Sequence, residues 1–219
     1  AFFALGLLSL KKLKNPSKLT LKYSILIGVI YFVVYASVTI GVMFTSLSNA
    51  SFLPGLSVIF TPILAALIYK KRPEKKLILA VLMSTIGLAL LTLTNGLDIS
   101  SKYFLGDLFC IITAITYAFA IILTGSAVEK EDLNPYQLGV YQLGVTGILS
   151  LILAFIFERP AIPTVPVAWF TVLFLALFCT GLALIITPIA LQYTTEERVA
   201  IILVLEPVFA GFVAYFFVG

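Results

Sequence analysis

TSLSNASFLPGLSVIFTPILAALIY, from Thr45 to Tyr69, and TTEERVAIILVLEPVFAGFVAYFF, from Thr194 to Phe217, read as two versions of one unit. Each opens in a short polar cluster and runs into an apolar helix. Each carries a proline well inside that helix, Pro62 in the first and Pro207 in the second. Small residues and aromatics follow. Ser46 to Pro62 spans 16 residues and Thr195 to Pro207 spans 12. The difference of four is about one helical turn, so the first version reads as one turn longer.

The sequence around these two stretches is that of a membrane protein. It is 61% hydrophobic and 11% charged, where a soluble domain carries roughly 25% charged residues. Residues 23–69 hold no Asp, Glu, Lys or Arg, a run of 47 residues. One bilayer span takes about 20 helical residues, so this run makes two helices joined by a turn at Ser46–Ser51. Further charge-free runs cover 77–97, 108–128, 133–157, 160–195 and 207–219. None shows the alternation over about ten residues that a membrane β-strand requires.

Cutting at charges and turn residues gives eight pieces: 1–10, 24–47, 50–69, 77–94, 103–125, 137–157, 168–191 and 199–219. The first is half a span. It begins at an alanine, and the last stops at Gly219 without a polar flank. The expectation is a chain truncated at both ends, inside helices. A signal peptide does not account for 1–10, which has neither a basic region before it nor a cleavage site after it.

Charge sets the orientation. Loops 11–22 and 70–76 carry five Lys/Arg each, and Lys130 and Arg198 fall in alternate loops on the same side. That side holds twelve of the 14 basic residues; the other holds Lys102 and Arg159. The positive-inside rule makes the twelve cytoplasmic. The net charge of +4 is then a topology signal, with an anionic-lipid contribution, and not a nucleic-acid surface. The Ser46–Ser51 turn falls outside and the Thr194–Arg198 turn inside. The two versions are five spans apart, so they are inverted copies. Inverted repeats are the plan of secondary transporters.

The pattern resembles the drug/metabolite transporter superfamily, and within it the EamA-type transporters. The residues that carry the likeness are TSLSNASFLPGLSVIFTPILAAL at 45–67, GDLFCIITAITYAFAIIL at 106–123 and YTTEERVAIILVLEPVFAGFVAYFFVG at 193–219. The resemblance implies an all-α polytopic membrane bundle of ten helices in two inverted five-helix repeats. About seven helices would be complete here. Residues 1–97 would hold helices 2–5 of the first repeat, and 103–219 helices 6–9 of the second, both truncated. Two departures stand out: Tyr117 where the family carries Trp, and Thr61-Pro62 where the second copy has Glu206-Pro207. The resemblance further implies a secondary active exporter of small organic metabolites (amino acids, related metabolites or drugs), working by alternating access. It would be a multi-pass protein of the inner, cytoplasmic membrane.

Candidate cavity residues follow from depth and helical spacing. Glu206 is the only carboxylate deep in a span. An ionisable group there costs at least ~2.5–3.5 kcal/mol, so it calls for a cavity, a partner or a proton. Its bland role is to pack beside the kink at Pro207, whose missing N–H exposes a carbonyl. Tyr31, Tyr35 and Thr39 share one helix face. Cys110, Thr113, Tyr117 and Thr124 form a second stripe that Ala120 keeps open. Gln142, Thr146 and Ser150 lie on the next helix, and Thr180 and Thr187 on the one after. The substrate-cavity set is therefore Glu206, Thr61, Tyr35, Thr39, Tyr117, Thr113, Gln142 and Thr187, with Pro62 and Pro207 as helix kinks. Threonine and serine in such helices more often bond back to the backbone or serve packing. Asn49 and the Thr194–Arg198 cluster are read first as helix caps, with gating at those turns the lesser reading. Asp107 suits the first turn of its helix.

Enzyme chemistry finds no support. There is no histidine, and Cys110 and Cys179 lack metal-ligand spacing. No GxxxxGK[ST] loop is present. No cofactor and no metal are expected. The expected partners are a small-molecule substrate and the bilayer, with proton coupling and a homodimer left open and no nucleic acid. Two other readings remain. A nucleotide-sugar or sugar-phosphate exchanger would need positive charge for phosphate, which the spans lack. A non-transporting lipid-handling protein would open laterally to lipid.

Overall fold

The computed structural model describes residues 13, 15–70, 73–93, 102–157, 165–206, 208–209 and 216. The piece at 1–10, Arg159 and Pro207 lie outside the described residues. Every described element is helical, and five helices are long and apolar enough to cross a membrane. In chain order they are α1 (Lys18–Phe44), α2 (Leu47–Gly55), α3 (Ser57–Tyr69), α4 (Lys75–Thr92), α5 (Phe104–Val128), α6 (Pro135–Phe157), α7 (Pro166–Phe174), a π-helical segment (Leu175–Leu182), α8 (Ala183–Leu191) and α9 (Glu196–Leu203). Six of the eight pieces cut from the sequence, from 24–47 to 168–191, map onto helices with ends shifted by a few residues, and 199–219 is described only in part. Two of the six are not continuous α-helices. The piece at 50–69 breaks at Leu56, and the piece at 168–191 passes through a π segment.

Local chemistry explains the ends. Ser46 is extended and its hydroxyl accepts from the Asn49 N–H at 3.2 Å, capping α2. Asn134 Oδ1 accepts from the backbone N–H of Tyr136 and Gln137, and Pro135 follows it at the first helical position. Lys70 closes α3 in the left-handed region, with φ 54°. The break at Leu56 comes two residues after Pro54, which cannot donate to the helix.

The chain forms two compact units, each built from segments distant in sequence. One comprises Ala1–Phe32 and Leu123–Tyr193; the other comprises Val33–Ile122 and Thr194–Gly219. In the first, α6 packs on α8 at very short range. A Cβ on Gly139 would stand 2.7 Å from the Ile185 Cα and 2.8 Å from the Leu184 carbonyl oxygen, so only glycine permits the approach. In the second, α5 crosses the end of α1. A Cβ on Gly106 would fall 2.4 Å from the Phe44 carbonyl carbon. In this unit α2 packs on α4, and α9 packs on both α3 and α4.

The exterior is apolar. Phe155, Phe170, Leu90 and Met83 are among the many large hydrophobic side chains left exposed. In water such a surface would be prohibitive; in a bilayer it is the solvent-facing side.

Candidate substrate site

In the second unit the two sequence copies meet. Tyr69, the last residue of α3, donates its hydroxyl to Glu196 Oε1 in the first turn of α9 at 2.8 Å. A cavity of about 420 Å³ adjoins this contact, lined by Ala65, Ala66, Tyr69 and Glu74 and by Thr195, Glu197 and Arg198. The end of α3 therefore faces the start of α9, and the two helices run antiparallel. Thr195 takes the extended N-cap position of α9 but its side chain makes no capping bond; Glu196 and Glu197 occupy the first turn instead, where the helix dipole favours acids.

Beyond Leu203 the helix loosens. The Val204 and Leu205 N–H groups bond to Ala200 and Ile202 respectively, and Glu206 is helical again. The first copy is interrupted at Leu56, six residues before Pro62, and the second at Val204–Leu205, two to three before Pro207. Glu206 is exposed at the protein surface of this chain. Its carboxylate acts electrostatically on both the Tyr35 and Tyr117 hydroxyls, and Tyr35 acts on Tyr117. Three candidates from three distant segments, a carboxylate and two phenols, thus lie within electrostatic range of one another.

The other candidates divide between the units. Thr39, Thr61 and Thr113 belong with Glu206, Tyr35 and Tyr117 in the second unit; Gln142 and Thr187 belong to the first. All four threonines donate to the carbonyl one turn back: Thr39 to Tyr35, Thr61 to Ser57, Thr113 to Phe109 and Thr187 to Ala183, at 2.7 to 2.9 Å. Their protons are spent on the backbone, while each oxygen keeps an acceptor lone pair. Thr61 is completely buried and Thr39 is exposed.

Gln142 has a defined structural task. It is fully buried, and its Nε2 donates to the Leu184 carbonyl at 2.8 Å. Leu184 is four residues before Pro188, which has no N–H to offer. The Gln142 amide supplies the missing donor. Its Oε1 has no hydrogen-bond partner. One turn along α6, Thr146 donates to the Gly28 carbonyl at 2.9 Å.

Two residues read first as caps do more. The Asp107 carboxylate accepts from Thr45 Oγ1 and from Asn49 Nδ2, the latter at 3.0 Å, with Asn49 almost fully buried. This ties the α1–α2 turn to α5. Cys110 is buried and Cys179 exposed, and both are free. Among the described residues no group of His, Cys, Asp and Glu could hold a metal.

Long apolar helices with buried polar side chains on their inner faces, and an antiparallel pair made from the two sequence copies, define a polytopic α-helical membrane protein. The chain belongs to the EamA-like transporter family, whose model matches residues 1–93 and 104–219. Two curated relatives, both uncharacterized transporters of Archaeoglobus fulgidus, are similar. One is 25% identical over 88% of this chain and 66% of its own length. The other is 28% identical over 84% of this chain and 57% of its own. The chain therefore spans less than two thirds of the curated relatives it matches. One solved crystal structure has a similar fold, with a TM-score of 0.76 at 17% identity, covering 97% of this chain and 72% of the other.

Proposed function

We propose that this chain forms most of a secondary active transporter that exports small organic metabolites, such as amino acids, related metabolites or drugs. Transport would cross the cytoplasmic membrane by alternating access between two inverted repeats, 1–97 and 103–219. The observation that carries the reading is the electrostatic reach of Glu206 to Tyr35 and Tyr117, which come from distant segments of the chain. A carboxylate inside a membrane protein is expensive unless it faces a polar path. Two phenol groups within its electrostatic range offer hydrogen bonds and apolar ring faces, a combination suited to small amphipathic solutes.

Depth supports the same reading. From the Tyr69–Glu196 contact, Thr61 lies eight residues along α3 and Glu206 ten along the α9 segment. At 1.5 Å per residue these are about 12 and 15 Å, near the middle of a ~30 Å hydrocarbon core. Glu206 and Thr61 are then equivalent positions of the two inverted copies. The loops rich in Lys and Arg, 11–22 and 70–76, are cytoplasmic in this reading. Proton coupling through Glu206 is part of the proposal.

The test is thermal stabilisation of the intact protein across a metabolite panel, in wild type and Glu206→Gln. A compound that stabilises wild type strongly and the variant weakly identifies the substrate and the site together. A panel that stabilises both equally overturns the assignment of Glu206.

A further inference from the structure

The second unit carries a groove that shares Pro62 and Ala66 with the cavity beside the Tyr69–Glu196 contact but is not lined by Glu206, Tyr35 or Tyr117. It lies between α3 and α4 and has a volume of about 570 Å³. Ile59, Ile63 and Leu67 line one wall, at four-residue spacing along a single face of α3; Ile78 and Leu82 line the other. Ile63, Leu67, Ile78 and Leu82 are all exposed. Among the described residues Lys70 is the one charged side chain that lines the groove, and it sits at one end, where α3 stops.

We propose that this groove holds an acyl chain of one anionic phospholipid, with the headgroup phosphate on Lys70 and Lys75. Length argues for it. Ile59 to Lys70 is 11 residues, about 16 Å of helix, and half of a ~30 Å hydrocarbon core is about 15 Å. The groove thus matches one leaflet in depth. Charge argues for it too. The loop KKRPEKK at 70–76 carries five basic residues and one acid, and Lys75 and Lys76 begin α4 with exposed side chains. A basic mouth above an apolar slot complements a phosphate above a hydrocarbon tail. The lysine stems can cover apolar surface while their ammonium groups reach the headgroup. A zwitterionic lipid would fill the slot, but its own ammonium offsets the phosphate charge offered to the lysines.

The inference rests on the orientation proposed above, since the cytoplasmic leaflet is the anionic one, but its test does not use transport. Delipidated intact protein is titrated in detergent with phosphatidylglycerol or with phosphatidylcholine of matched chains. Melting temperature and lipid retained in native mass spectrometry are read. Phosphatidylglycerol should bind one per protein and raise the melting temperature well beyond phosphatidylcholine. Lys70→Gln combined with Lys75→Gln should weaken phosphatidylglycerol roughly thirtyfold and leave phosphatidylcholine unchanged. Ala66→Phe, which fills the slot and keeps the lysines, should abolish retention. Equal effects of the two lipids, or unchanged affinity in the double variant, overturn the proposal. So does a groove filled by another protein segment, seen as no lipid retained by wild type and an Ala66→Phe destabilisation that is the same in both lipids and in detergent alone.

Discussion

Tyr69 and Glu196 are 127 residues apart in sequence and joined by a 2.8 Å hydrogen bond. The bond links the end of one sequence copy to the start of the other. It joins the end of α3 to the start of α9, with Arg198 and Glu197 lining the adjoining cavity. A phenol donating to a carboxylate is a charge-assisted bond, yet both groups are partly open to solvent, which weakens it.

Tyr69→Phe should therefore destabilise the intact protein by about 0.5–1 kcal/mol. A double-mutant cycle with Glu196→Ala, read by thermal unfolding, should return most of that as coupling. Additive effects of the two changes would mean the bond does not hold the helices together.

Gln142→Leu should cost about 1–3 kcal/mol, because the Leu184 carbonyl is left buried without a donor. Adding Pro188→Ala should recover much of the loss, since alanine restores the N–H one turn on. Thermal unfolding of the single and double variants checks this. No recovery in the double variant would refute the account of Gln142 as a stand-in for the proline.

Asp107→Ala should cost a similar amount, about 1–3 kcal/mol, because the buried Asn49 amide and the Thr45 hydroxyl both lose their acceptor. Asp107→Asn should cost less, since its amide oxygen still accepts. Equal losses for the two would place the effect in the charge and not in the hydrogen bonds.

Cysteine labelling tests the orientation. A membrane-impermeant reagent applied from outside should miss Lys75→Cys and reach Ser100→Cys, the latter lying outside the described residues. The reverse pattern would invert the topology and the export direction with it.

Much of this architecture was legible in the chain. Charge-free runs locate α1, α5 and α6 within a few residues, because length and apolarity alone decide a span. The pairing of 45–69 with 194–217 anticipates the α3–α9 contact, because both copies keep a polar turn, an apolar run and a proline. Other features were not legible. The break at Leu56 and the π segment at Leu175–Leu182 depend on how backbone bonds are shared after the helix packs, and no residue type announces them. Asn49 and Asp107 each read as a local cap; only folding reveals that they meet. Gln142 read as a cavity residue, and its bond to Leu184 is visible only once Pro188 is placed beside it. The threonines followed the general habit of their residue type and bonded backward.

The most direct measurement is efflux from proteoliposomes holding the intact protein, loaded with a metabolite that stabilises it, in wild type and Glu206→Gln. The variant keeps the side-chain shape and hydrogen-bonding capacity and loses the charge and the titrating proton. Melting temperature is measured alongside to confirm folding. The account predicts a folded variant with efflux reduced at least about tenfold, a transport loss of about 1.4 kcal/mol, and a wild-type pH dependence that the variant lacks. Wild-type efflux by Glu206→Gln at every pH would contradict it.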